Sequence, residues 1–289
     1  MRYPAYQSVI EAARPRSQLW RLIAGFALIG AVYTLLLLGL VALEFGTGVS
    51  IMAGSGLGTT PAAAFALLMS FLCLYPGLWL ALRWLHGRGL RSLVGPWRDV
   101  LRDGGRAALA AVIVYAIGLL IPGPETAEPV ANLPPARWLV WLVPGLIGLA
   151  IQIAAEELLF RGYLQQQLAA RFASPLVWLV LPAVGFGLLH YSAAMAGPNA
   201  IWLTLPAIAF GLLAADLTAR CGNLGPALAL HFLNNFAAIM ILAPGEAMSG
   251  LALFRLPLEM SDPALLSHLP VEIALVFVLW LAARLALRR

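Results

Sequence analysis

Four places in the 289-residue chain put ionisable or amide side chains inside apolar runs. Such groups are costly to hold away from water, so each is a candidate for chemistry. They are Glu156 and Glu157 with Arg161; His190; Asp216 with Arg220; and His231 with Asn234 and Asn235. In Ala154-Ala155-Glu156-Glu157-Leu158-Leu159-Phe160-Arg161-Gly162, a helix sets residues i and i+4 on one face and neighbours about 100° apart. Glu157 and Arg161 are therefore expected to pair. Glu156 then lies on another face without a partner, a desolvated carboxylate suited to general-base work. The plainer alternative is a solvated charge cluster at an interfacial helix end. Downstream, Gln165, Gln166, Gln167 and Arg171 make the helix amphipathic, which predicts that it emerges into the cytoplasm.

His190 follows Phe186 by four residues, so the two share a helical face; a lone histidine in such a run can equally serve as a packing hydrogen-bonder. His231 and Asn235 are again i and i+4, and with Asn234 they must face the protein interior. Glu156 and His190 lie about equally far from the turn near Ala173 to Pro175, and at about 1.5 Å per residue they reach one level and can face each other. His231 is nearer its own turn, so its level matches only if the glutamine-rich helix end protrudes. Asp216 and Arg220, four apart near a helix end, read as a local structural salt bridge.

The elements that must position these groups are transmembrane helices. Hydrophobic residues make up 62% of the chain and charged ones only 11%, against about 25% charged in a soluble domain. A soluble globule is excluded, because so little polar surface cannot cover it. Runs long enough to span the bilayer are read near 19–43, 63–85, 107–122, 138–160, 175–195, 200–218, 224–243 and 269–285. The first carries no cleavage site and reads as a retained anchor. All eighteen basic residues are arginine, and fifteen lie in one set of alternate loops: Arg2 to Arg21, Arg83 to Arg106, Arg171, Arg220, and Arg284 to Arg289, with Arg137 and Arg255 in the other set. The loops of the first set should be cytoplasmic, and those holding Glu44, Glu125, Glu128 and Glu246 to Glu272 outward. The fold class expected is an all-α polytopic bundle of eight spans with both termini cytoplasmic, forming one membrane domain over residues 1–289. Arginines dispersed in this way mark topology; a nucleic-acid partner is not expected, whereas membrane lipids are.

Cys73 and Cys221 sit far apart in apolar surroundings and read as inert small hydrophobes. Gly185, Gly187 and Gly211 suit close helix packing. No serine or cysteine nucleophile stands out: Ser192 is two residues past His190 and points elsewhere on a helix, and Gly54-Ser55-Gly56 reads as an outward turn.

Glu156-Glu157-x-x-x-Arg161, then Phe186-x-x-x-His190, then His231-x-x-x-Asn235, in order on three spans, resembles the CPBP family of intramembrane proteases. That family includes the type II CAAX prenyl endopeptidases and bacteriocin-processing or immunity relatives. The resemblance covers residues 138–245, the expected catalytic core, and implies peptide-bond hydrolysis in a polar cavity open to the cytoplasm of a cell-membrane protein. Carried over residue by residue, it implies that Glu156 and His190 activate water and that His231 and Asn235 stabilise the oxyanion. Glu157, Arg161 and Phe186 would support them. Glu156, His190 and His231 are also a donor set for a three-ligand zinc site, while a glutamate-activated water needs no metal; both stay open. The implied substrate is a membrane-associated peptide or protein, prenylated or leader-bearing. Two rival readings are a non-catalytic scaffold or immunity protein of the same fold and a proton-coupled transporter. Buried ionisable groups argue against the first, and the absence of inverted repeats against the second.

Overall fold

The computed structural model describes residues 3–47, 58–121 and 128–288. Arg2, Arg289, Glu125 and the expected Gly54-Ser55-Gly56 turn lie outside the described residues. Each of the eight apolar runs read from the sequence is helical: α1 (Leu19–Thr47), α2 (Pro61–His86), α3 (Trp97–Gly118), α4 (Pro135–Arg171), α5 (Pro175–Leu188), α6 (Ala200–Cys221), α7 (Gly225–Ile241) and α8 (Leu269–Leu287). Sheet is confined, among the described residues, to three two-residue strands, β1 (Val130–Ala131), β2 (Leu242–Ala243) and β3 (Phe254–Arg255), with β3 central. The protein is a helical membrane protein.

The eight expected spans are not all alike. Among the described residues, five helical stretches are long and apolar enough to cross a bilayer: 19–47, 61–86, 135–171, 193–221 and 263–287. Helix α3 begins ten residues before the expected 107, and its first half carries Arg98, Asp99, Arg102, Asp103 and Arg106. Helix α5 has 14 residues, about 21 Å at 1.5 Å per residue, less than the hydrocarbon thickness of about 30 Å. It was expected to run to 195. It stops at Leu188 because Ser192 accepts from the Met195 N–H and caps a new short helix, Ala193–Ala196, an alternative that serine offers the backbone.

Sequence signals explain the other ends. Thr60 caps α2 by accepting from Ala63 N–H at 3.3 Å, with Pro61 in the first position, where its missing N–H costs nothing. Gly222 ends α6 at φ +69°, and a Cβ there would strike the Ala5 carbonyl, so both conformation and space demand glycine. Helix α1 shows lipid-facing behaviour: Ile23, Leu35, Leu38 and Phe45 are exposed, and only Leu22, Gly25 and Ile29 are buried.

The glutamine-rich end of α4 departs from expectation. Gln165, Gln166 and Gln167 are 0%, 0% and 1% exposed. Each amide nitrogen finds a partner inside the protein: Gln165 Nε2 donates to Ala215 O, Gln166 Nε2 to Leu93 O, and Gln167 Nε2 lies 2.9 Å from His86 Nδ1. Helix α4 has 37 residues, about 55 Å of helix, and other segments clothe its glutamine-rich end. His86 Nδ1 also lies 3.0 Å from Arg16 O and Nε2 2.8 Å from Tyr163 OH, and Arg88 donates to Gln166 Oε1. Burial pulls the Arg88 guanidinium down from its ordinary value to about 10. Amphipathic sequence here marks a polar core between helices, and not a solvated face.

The Asp216–Arg220 pair forms as expected at 2.6 Å and does more, since Asp216 also accepts from Tyr3 OH and Trp280 Nε1. One carboxylate thus ties the N-terminal segment and α8 to α6. Cys73 and Cys221 are not joined in a disulfide.

Helices α5 and α6 cross at glycines. A Cβ on Gly211 would sit 3.0 Å from Ala183 Cα and 3.2 Å from its carbonyl oxygen, and one on Gly187 would collide with Ile208. Gly185 meets only an ordinary contact with Phe160 at 3.7 Å. Overpacking costs about 1–3 kcal/mol, so Gly211→Leu should lower the thermal unfolding midpoint in detergent by several degrees. Gly30→Leu, with nothing within 4 Å of the added Cβ, should leave it within a degree or so.

Candidate active site

The expected Glu157–Arg161 pair forms, with Arg161 Nη1 donating to Glu157 Oε1 at 2.8 Å and both side chains essentially inaccessible, at 0% and 1% exposure. The same Glu157 oxygen lies 2.7 Å from His231 Nδ1. A carboxylate only accepts, so Nδ1 carries the proton and donates. The guanidinium lies over Phe186, its carbon 4.4 Å from the ring centroid, and 5.6 Å from that of Phe210. Stacking on two ring faces compensates a cation that has a single carboxylate partner.

Glu156 is not isolated as the helical wheel implied. Its Oε2 lies 3.5 Å from His231 Nε2, and Gln152 Nε2 donates to Oε1 at 3.3 Å. Two neighbouring residues on one helix reach a single imidazole because its two ring nitrogens point in divergent directions, spanning the angle between them. The Glu156 contact is an ion-pair distance, longer than a good hydrogen bond. Glu156 Oε2, Glu157 Oε2 and Arg161 Nη2 are buried and make no hydrogen bond within the protein. Unspent buried polar atoms of this kind gather where chemistry or ordered water is accommodated.

His190 sits just past the end of α5, not within it. Its Nδ1 lies 3.0 Å from the Phe186 carbonyl oxygen; a carbonyl accepts, so Nδ1–H donates and Nε2 carries the lone pair in the neutral ring. The ring stacks near Phe186 at 4.8 Å between centroids, and Phe186 in turn meets His231 edge-on at 5.7 Å. No hydrogen bond or ion pair joins Glu156 to His190 among the described residues; the two motifs are linked through Phe186, which contacts His190 and His231, and through His231, which contacts Glu156.

His190, His231 and Asn235 line one cavity of about 420 Å³. On α7 the lining residues are His231, Asn234, Asn235, Ala237 and Ala238, mostly in i, i+3, i+4 and i+7 relation, and on α6 they are Leu203, Pro206, Ala207 and Phe210 in that pattern. Glu156 and Glu157 lie behind His231 and are not on the cavity wall. Widened π-helical turns begin directly after Glu157 (Leu158–Leu164) and directly after Asn235 (Phe236–Ile241); single π turns recur at functional sites because they re-aim side chains. Among the described residues no three His, Cys, Asp or Glu side chains gather to hold a metal ion. Glu156 and His231 meet while His190 reaches neither, so the donors of the expected zinc set do not converge and no step is routed through a metal.

Sequence reading passed over three participants. Tyr115 on α3 lines the cavity with its hydroxyl 3.5 Å from Asn234 Oδ1. Glu272 on α8 lines it too, although it counts among the outward charges by sequence. His86, buried beneath Tyr163, belongs to the glutamine network. The i, i+3, i+4 spacing of Glu272, Leu275 and Val276 was the one available signal for Glu272.

Comparison with known proteins agrees with the motif reading. Residues 136–237 match the family described as type II CAAX prenyl endopeptidase Rce1-like, and the resemblance read from the three motifs is borne out. An uncharacterized Bacillus subtilis protein, YyaK, is 26% identical over 185 residues, covering 62% of this chain. The match spans 61% of that relative's length, about three fifths. No solved structure gives a significant match.

Removing one partner of a buried ion pair costs about 3–5 kcal/mol, because the other charge is left uncompensated. Glu157→Ala should therefore destabilise the protein by that order in detergent denaturation. Arg161→Met placed in the same chain should restore more than half of the loss.

Proposed function

We propose that this protein, whose core carries that family match, is an intramembrane endopeptidase hydrolysing a peptide bond of a membrane-associated substrate, prenylated or leader-bearing. The observation that carries the reading is the convergence of three distant segments: both glutamates meet His231, and His231, His190 and Asn235 share one cavity. The catalytic core is residues 138–245. The remaining helices complete a single membrane domain.

In this reading Glu156 and His190 activate a water, His190 from the cavity wall and Glu156 from behind His231, which it contacts. His190 Nε2 bears a lone pair because Phe186 O holds the Nδ1 proton, and Glu156 offers an oxygen that no protein donor uses. The water oxygen attacks the scissile carbonyl carbon, and its proton passes to the base. The carbonyl oxygen becomes an anion that accepts from the Asn235 amide and from a proton on His231 Nε2, the ring carrying its other proton on Nδ1, where Glu157 holds it and fixes the orientation. Donors aimed at this oxygen commonly contribute about 10²–10³ in rate each. Collapse breaks the C–N bond, and the proton returns to the leaving amine. Glu157 and Arg161 position His231 and touch no substrate, while Phe186 carries both Arg161 and His190 on its faces.

The topology that accompanies this reading has eight spans, in a cell membrane, with the arginine-rich loops and both termini in the cytoplasm. In a background without Cys73 and Cys221, a membrane-impermeant thiol reagent applied outside cells should label Glu259→Cys and leave Arg98→Cys unlabelled until the cells are opened.

Cleavage of a fluorogenic peptide library by the purified protein tests the reaction. Glu156→Ala and His190→Ala should each lower kcat/KM by 10³-fold or more, and Asn235→Ala by about 10²–10³. Cleavage that survives both of the first two substitutions overturns the assignment, as does loss of solute uptake in Glu156→Ala with no peptidase activity in the wild type.

A further inference from the structure

Apart from its two histidines, the cavity wall carries one ionisable charge, the carboxylate of Glu272. Glu272 occupies the first turn of α8, and Leu275 and Val276, three and four residues on, line the same cavity. That face of α8 is therefore the wall, and Glu272 stands on it. Its carboxylate makes no hydrogen bond or ion pair with any described residue, in contrast to Glu156, Glu157 and Asp216, each of which is held. An acid in a first helical turn is favoured by the helix dipole, which accounts for its place along α8. The dipole does not account for its facing a cavity whose other walls are largely apolar and aromatic.

We propose that Glu272 is a specificity residue of the cavity: it receives a basic side chain, lysine or arginine, carried by the peptide next to the bond that is cut. The inference rests on the endopeptidase reading and deepens it by naming a substrate feature. Three observations converge on a cation. The fixed charge on the wall is negative, with no arginine on the cavity to oppose it. Its side chain is exposed at the wall, open to a cation that enters the cavity. On the same lining, the ring of Tyr115 and the side chains of Leu203 and Leu275 offer apolar contact to the methylene stem of a long basic side chain. The neutral amides of Asn234 and Asn235 on the neighbouring wall leave the charge selection to Glu272.

The test uses the purified full chain and fluorogenic peptides identical except for one residue, placed in turn at each position flanking the scissile bond as lysine, norleucine or glutamate. At one position the wild type should cleave the lysine peptide at least tenfold faster in kcat/KM than the norleucine peptide. Glu272→Gln should bring that ratio to within about twofold of one, and Glu272→Arg should reverse it in favour of the glutamate peptide, a gain that misfolding cannot produce. A lysine preference that persists in both variants, or no charge preference at any position in a protein that cleaves, overturns the proposal. Should the wild type cleave nothing, the reaction fails separately, and the same peptides are read by fluorescence anisotropy. A tenfold tighter Kd for lysine over norleucine that is lost in Glu272→Gln and inverted in Glu272→Arg supports the cation site. Equal dissociation constants overturn it.

Discussion

The site depends on a guanidinium held out of water. Arg161 has one carboxylate to pair with, and that carboxylate also holds His231. Burial of an ion pair is repaid only where the geometry is good and the remaining hydrogen-bonding groups are used. Here the compensation is distributed: Glu157 takes two donors on one oxygen, and Phe186 and Phe210 cover the cation. Because the participants come from α4, α5, α6 and α7, the arrangement fixes those four helices against each other. His190 and Asn235 inherit their places from it, the first through Phe186 and the second from its position one turn beyond His231.

The opposite end of α4 is held by neutral chemistry. Three consecutive glutamines, each bonded to a different segment, join α4 to α6, to the stretch after α2 and to His86. Asp216 does the same work for the N-terminal segment and α8. Polar groups inside a membrane protein have no water to fall back on, so each must find a partner within the chain. That requirement turns them into specific fasteners. A long helix whose end is fastened on several sides is a rigid mount for a reactive pair near its middle.

Several parts of this organisation were legible from spacing. Glu157 with Arg161, His231 with Asn235, and Asp216 with Arg220 are each four apart, and a helix brings such pairs together whatever surrounds it. The glycines at 187 and 211 announced a close crossing for a similar local reason, since only a missing Cβ lets two backbones approach. Hydropathy located each of the eight helical stretches. It did not decide which of them are long and apolar enough to span, because helix ends depend on caps such as Ser192 and on charges such as those in the first half of α3.

Everything that depends on which face meets which neighbour came from the tertiary structure. The sequence determined a helical membrane protein with its ionisable groups on three motifs, because composition and the period of the helix are properties of the chain itself. Only the fold decided that Glu156 shares His231 with Glu157, that Phe186 touches both His190 and His231, that Gln165 to Gln167 are buried, and that Glu272 and Tyr115 join the cavity. Each of these is a contact between residues far apart in the chain, and a one-dimensional pattern fixes the direction in which a side chain leaves its own helix but not what it finds there.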